Sequence, residues 1–258
     1  MRALDLSVVV PAYNEAPGIA ATLRSVGGAL DRLDVEYEIL VVDNASPDGT
    51  ADAVEALGDA RVRVLRNAAD LGKGASVRRG MLEARGRLRL HCDADCGPSV
   101  EALPRMLALA AERDVVVGSR LAPGAAVGRR QPVRRRIAGR TFGILCRLVL
   151  REPTRDLFCG FKLWHAEAAE AAYRATSLTG WTFDAEVLAM ARALGYSIVE
   201  TGIPWTDRAG SRLSMARIVI PVTRELVQAR SRVRRAARAR TTPAPAGPTV
   251  AEAAESQG

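Results

Sequence analysis

Short apolar-rich runs alternate with amphipathic stretches over the first 120 residues. Leu6 to Val10, Ile39 to Val42 and Leu88 to Cys92 are each four or five residues long and end in Pro, Asn or Asp. Runs this short, bounded by turn formers, read as buried parallel strands. The pattern predicts strands at 6–12, 36–42, 61–65, 87–92 and 114–118, with helices at 17–31, 49–57, 73–84 and 100–112 between them. Such alternation implies right-handed crossovers, and so an α/β fold whose mostly parallel central sheet has helices on both faces. After Arg120 the rhythm changes. A Gly/Pro/Arg-rich loop from Ala122 to Pro132 is a candidate lid, followed by a basic helix from Arg136 to Val149. Helices near 164–175 and 183–194, a strand at 197–202 and a long helix from near Met215 complete the pattern. The expected division is a catalytic domain over 1–229 and a disordered tail over 230–258, basic and then, from Thr241, Pro/Ala-rich with too little apolar content to order itself.

Three motifs sit where the strands end: Pro11-Ala12-Tyr13-Asn14-Glu15, Asp43-Asn44-Ala45-Ser46 and Asp93-Ala94-Asp95. Ligands of open α/β sheets gather at the carboxyl ends of strands, so these motifs should converge on one crevice. Asp93 and Asp95, one residue apart, can hold a hard cation such as Mg²⁺ or Mn²⁺ while a substrate phosphate completes its shell. Alone, a pair of acids at a strand end is commonly just solvated; in register with two further motifs it reads as a site. Lysine occurs only as Lys73 and Lys162, in a chain that otherwise uses arginine. Both fall inside motifs, which points to a compact ammonium wanted for a phosphate or a carboxylate.

With Gly72-Lys73-Gly74, Gly118-Ser119-Arg120, Cys159-Gly160-Phe161-Lys162-Leu163, Trp181 to Glu186 and Trp205 to Leu213 in this order, the chain resembles the family 2 glycosyltransferases of the GT-A fold, a Rossmann-like nucleotide-diphospho-sugar transferase fold. Over about residues 5 to 215 it is similar to the polyprenyl-phosphate sugar synthases, which make dolichyl-phosphate mannose and dolichyl-phosphate glucose. The resemblance implies that Pro11, Ala12, Tyr13 and Glu15 meet the nucleoside, that Asp43 accepts from the base, and that Lys73, Ala94 and Arg212 belong to the nucleotide-sugar site. It makes Asp93 and Asp95 catalytic metal ligands, puts Asp184 at the family's downstream acidic position and matches Arg135 to the acceptor-phosphate arginine; Arg120 and Lys162 are the further cations expected at that phosphate. The motifs sit closer to the glucosyl type, which favours UDP-glucose and keeps GDP-mannose open. Three positions depart from the family pattern: Asn44 replaces a commoner Asp, Gly97 stands where mannosyl relatives often have a Gln ligand, and Gly139 where some have a hydroxyl.

With a polyprenyl-phosphate acceptor the nucleophile is already anionic, and direct attack inverts the anomeric centre. Transfer to a hydroxyl is the alternative, with Asp184 or Glu186 as base. A non-catalytic scaffold on membrane or nucleic acid is a third possibility, opposed by the intact Asp93, Asp95 and Lys162. His91 and His165 read as structural.

Charge placement adds a partner. The net charge is +8, yet residues 129–151 hold eight arginines and no acid, and residues 217–240 hold eight against Glu225 alone, so the remainder is acidic. Aromatic content of 4% and the absence of a nucleic-acid-binding motif turn this polarity toward an anionic membrane surface. Four scattered cysteines, no basic-apolar leader and no apolar stretch of about 18 residues predict a cytoplasmic protein, peripheral at the inner face of the membrane.

Overall fold

The computed structural model describes residues 4–128, 133–180, 182–206 and 219–241. Strands β1 (Leu6–Ala12), β2 (Tyr37–Asp43), β3 (Val62–Arg66), β4 (Leu88–Cys92) and β5 (Val115–Ser119) alternate with helices α1 (Ile19–Leu30), α2 (Thr50–Glu55), α3 (Lys73–Glu83) and α4 (Leu103–Ala110). Then come a two-residue strand β6 (Ala126–Val127), α5 (Val133–Leu150), β7 (Phe161–His165), α6 (Ala166–Ala175), α7 (Phe183–Ala193), β8 (Ile198–Gly202), β9 (Pro204–Trp205) and α8 (Val219–Thr241).

Seven strands form the main sheet in the order β3-β2-β1-β4-β7-β5-β8, parallel except for β7. β1 and β2 are buried along almost their whole length, as strands covered on both faces must be. Their register, from Leu6 opposite Tyr37 to Ala12 opposite Asp43, brings the first two motifs level. One apolar layer joins α1 and α4 to the sheet through Leu23, Val26, Leu30 and Met106; the other joins α3, α6 and α7 through Val77, Met81, Ala169 and Leu188.

The five expected N-terminal strands appear within about a residue of their predicted bounds. The helix expected from residue 164 begins at Ala166, because 161–165 alternate between the two layers: Phe161 and Leu163 face one, Trp164 the other. That alternation makes β7, which pairs antiparallel with both β4 and β5. Part of the expected lid is strand: β6 pairs with β9, and residues 129–132 lie outside the described ones.

The boundary expected at residue 229 falls inside α8. Leu226, Ala229 and Val233, at helical spacing, pack into the second apolar layer, and Arg232 donates to Glu186 of α7 at 2.6 Å. Residues 242–258 lie outside the description. Among the described residues no helix is long and apolar enough to cross a membrane.

Candidate active site

The carboxyl ends of β1, β2 and β4 and the start of β7 meet in one place, as the motif positions required. The loop after β1 is stitched to the loop after β2: Asn14 N donates to Ser46 Oγ at 3.0 Å, Glu15 N to Thr50 Oγ1 at 2.9 Å and Ala16 N to Asp48 Oδ2 at 3.1 Å. Asn14 and Ala45 take left-handed backbone to make these contacts. Pro11 and the buried Ala12 end β1, and Tyr13 stands exposed beside them. Asp43 is buried; its Oδ2 accepts from Ser46 N at 3.3 Å, while Oδ1 accepts no hydrogen bond among the described residues. A buried carboxylate oxygen in that condition is a ready acceptor for a ligand N–H.

Asn44 does something the sequence did not suggest. Its Nδ2 donates to Asp70 at 2.5 Å, and its Oδ1 accepts from Asn67 Nδ2 and from Leu71 N, each at 3.0 Å. The amide therefore ties down the segment that leads into Gly72-Lys73-Gly74. An Asp here would lack the N–H donor that meets Asp70. Gly72 sits at φ +86°, and a side chain on Gly74 would collide with Phe183 Cβ at 2.7 Å, so both glycines are needed where this turn docks against Leu178, Thr179 and Phe183.

That docking aims Lys73 at the metal motif. Its Nζ donates to Asp93 Oδ2 at 2.6 Å, and His91 Nε2 lies 3.0 Å from Asp93 Oδ1. Burial alone would raise the Asp93 carboxyl; the Lys73 ammonium and the His91 hydrogen bond outweigh it and hold the group well below the usual carboxylate range. For Lys73, burial works toward the neutral form, and Asp93 and Asp184 overcome it. Gly160 backs the same carboxylate: a Cβ there would lie 1.9 Å from Asp93 Oδ2. Only a glycine lets β7 approach so closely.

Asp93, Asp95 and Cys96 each present a donor atom within 4.8 Å of the others. Burial pushes the Cys96 thiol well above its ordinary range, so it stays protonated and the two carboxylates are the effective donors. An oxygen pair of this kind fits Mg²⁺ or Mn²⁺. The turn between them is fixed by Thr22 Oγ1, which donates to the Ala94 carbonyl at 2.7 Å.

The expected acceptor cations are distributed differently. Lys162 has no solvent exposure; it is bonded to Asp184 and donates to the Cys159 carbonyl at 2.7 Å, because the alternation along β7 turns it into the helical layer instead of the crevice. Asp184, in the first turn of α7, is buried with it, 4.0 Å from His91 Nδ1. Glu186 is also buried, accepting from Arg232 at 2.6 Å and from Leu178 N at 3.0 Å. Arg120 forms a two-pronged pair with Asp156 at 2.8 and 2.7 Å and lies 5.2 Å over the Trp205 ring. Arg135 falls in the first turn of α5, with its side chain outside the described ones, and Arg212 lies outside the described residues. Sequence reasoning missed Asp156, which carried no motif, and His91, whose place beside Asp93 depends on the bend after β4.

The fold is shared with solved structures. The crystal structure of glucosyl-3-phosphoglycerate synthase from Mycobacterium tuberculosis, in complex with Mn²⁺, UDP and glucosyl-3-phosphoglycerate, superposes with a TM-score of 0.62 at 19% identity, covering 89% of this chain and 80% of that one. This likeness makes the fold GT-A. Residues 7–178 match the family described as Glycosyl transferase family 2, and the chain belongs to that family of glycosyltransferases. Among curated relatives, a dolichyl-phosphate β-glucosyltransferase of Dictyostelium discoideum is 31% identical over 243 residues, 88% of this chain and 74% of the relative. Its counterpart from Drosophila melanogaster is 35% identical over 228 residues, covering 82% and 70%.

Proposed function

We propose that the chain transfers glucose from UDP-glucose to a dolichyl or related polyprenyl phosphate with inversion, working as a peripheral protein against the membrane that holds the acceptor. Its similarity to dolichyl-phosphate β-glucosyltransferases supports the substrate pair. The observation that carries the acceptor class is the state of Asp184 and Glu186. A hydroxyl acceptor needs a base, and both carboxylates are buried and engaged by Lys162 and Arg232. A phosphate monoester, with a second pKa of about 6, arrives largely dianionic and needs none.

On this reading Asp43 Oδ1 receives the base N–H, Tyr13 lies against the nucleoside, and Asp93 and Asp95 hold the divalent cation. A bound Mg²⁺ or Mn²⁺ supplies charge compensation for the departing nucleoside diphosphate. Lys73, at the N-terminus of α3, adds a cation and helix amides beside the same carboxylates. The chain's main contribution is then to hold donor and acceptor in line and to keep charges fixed, with no proton to remove. An α-linked donor gives a β-linked product.

The test is a panel of UDP- and GDP-sugars scored for Mn²⁺-dependent thermal stabilisation, followed by transfer to a short-chain polyprenyl phosphate and anomeric assignment of the product. UDP-glucose should stabilise most and give a β-glucosyl phosphate. Tighter binding of GDP, or transfer to the free alcohol in preference to its phosphate, would overturn the proposal.

A further inference from the structure

The outward face of α5 carries large apolar side chains in solvent. Ile137 is 62% exposed, Ile144 52%, Leu145 43% and Leu148 70%. At about 100° per residue the four fall within an arc of roughly 100°. The opposite side of the helix already serves the core, with Cys146 and Leu150 buried and the Phe142 ring stacked on Phe158 at 5.2 Å. The outward stripe is therefore in excess of what packing uses, and contiguous exposed apolar patches mark interaction sites.

What flanks the stripe identifies its partner. Arg140 is exposed along one side of it, and Arg151 is exposed just past the helix end. No acid occurs between Ala126 and Arg151. α8 packs alongside, Arg230 donating to the Val149 carbonyl at 3.1 Å. The positive field is continuous there: Arg230, Arg151 and Arg238 all act to lower the proton affinity of Arg234. A second copy of the chain on this face would bring two acid-free arginine clusters together. RNA would pair with the arginines but leave the leucines in water. A bilayer with anionic headgroups satisfies both features at once.

We infer that the outward face of α5 is a lipid-docking surface, with Ile137, Ile144, Leu145 and Leu148 entering the acyl boundary of an anionic leaflet and Arg140, with the arginines of α8, at the level of its phosphates. The inference deepens the lipid-phosphate reading above, and of the two basic segments expected at the membrane it makes α5 the one that enters the leaflet. α8 spends Leu226 and Ala229 on the core and adds its arginines beside the stripe.

The experiment is co-sedimentation of the full chain with phosphatidylcholine vesicles, plain or containing about 30% phosphatidylglycerol. It compares the wild type, Ile144→Asp/Leu148→Asp and Arg140→Glu. The wild type should prefer anionic vesicles and stay partly bound in about 0.5 M salt, because the apolar component is not screened. The double Asp variant should partition at least about tenfold more weakly, with an unchanged melting temperature and unchanged Mn²⁺-dependent UDP binding. Arg140→Glu should lose binding mainly at low salt. Equal partition of wild type and double variant overturns the inference, as does a wild type that ignores anionic vesicles. A double variant that converts a wild-type dimer to monomer in sedimentation velocity also overturns it, in favour of self-association. If docking depends on the stripe while a water-soluble isoprenyl phosphate is not glycosylated, the acceptor reading fails and the docking surface stands.

Discussion

Replacing Lys162 with Met separates two roles that the sequence could not tell apart. As a phosphate ligand, Lys162 would be lost at small cost to the fold and large cost to acceptor saturation. The structure instead places its ammonium out of solvent, bonded to Asp184 and the Cys159 carbonyl. Met fills a similar volume but leaves a carboxylate that is only 2% exposed without its cation. Breaking a buried pair from one side costs about 3–5 kcal/mol, which at about 2–4 °C per kcal/mol for a chain of this size lowers the melting temperature by roughly 6–20 °C. Removing both charges, as Lys162→Met/Asp184→Leu, should recover most of that loss, since an apolar pair is often no worse than a buried ionic one. Thermal and urea melts of wild type, both single variants and the double variant close the cycle, and acceptor KM is measured alongside. Should Lys162→Met melt within a degree of wild type while its acceptor KM rises tenfold or more, the structural account of Lys162 is refuted.

Gly160→Ala should lower turnover by about a hundredfold, the usual effect of an ångström-scale displacement at a reacting centre, and weaken Mn²⁺ binding. The added Cβ falls 2.0 Å from Asp93 Cγ and must push that carboxylate off Lys73 and His91. Its stability cost should stay near the 1–3 kcal/mol typical of overpacking, and wild-type kinetics would end the argument. Asp95→Ala should abolish transfer and silence a Mn²⁺ titration while leaving the melting curve in place; retained turnover with Mg²⁺ or Mn²⁺ would remove Asp95 from the metal site. The folded chain should resist thiol reagents at pH 8 and react once unfolded. Burial holds Cys146 at about 12, and burial with the neighbouring Asp156 holds Cys159 at about 12. Raised values of this sort favour the neutral thiol, so their contribution to stability is complete below about pH 8.5 and is lost as pH climbs toward 12. Rapid labelling of native protein at pH 8 would contradict this.

The nucleotide side of the molecule was legible because its signals are local. A buried parallel strand ending in Asp or Pro needs no knowledge of the rest of the chain, and β1 to β5 were placed from such runs. β7 was not, since five residues holding both Lys162 and Trp164 show their alternation only once two layers exist to receive it. Likewise Asn44 read only as a departure from the commoner Asp, and its hydrogen bonds to Asp70, Asn67 and Leu71 depend on a loop that returns more than twenty residues later. The basic helix was foreseen, but its depth into solvent was not: helical spacing says which side chains share a face, and only packing says which face the core takes. The convergence of the motifs holding Tyr13, Asp43 and Asp93 was readable from their places at strand ends, whereas the approach of Lys73 to Asp93 and the burial of Lys162 with Asp184 were not.

Strand β7 also constrains how the chain can be made. β4 and β5 follow one another in sequence but never pair; each is bound to β7, whose first residue lies nearly seventy positions after Cys92. As synthesis proceeds, β4 emerges with β1 on one flank and an open row of backbone donors and acceptors on the other. β5 emerges with no partner, because β7 and β8 are both still to come. A nascent chain paused before residue 161 thus carries the Asp93 and Asp95 carboxylates on an unfinished edge, exposed to any other strand that meets it. The strand that closes this edge also follows directly on Gly160, against which Asp93 rests, so completion of the sheet and completion of the metal site are a single event. A fragment that ends before Phe161 should therefore leave both β4 and the Asp93 carboxylate without their β7 neighbour.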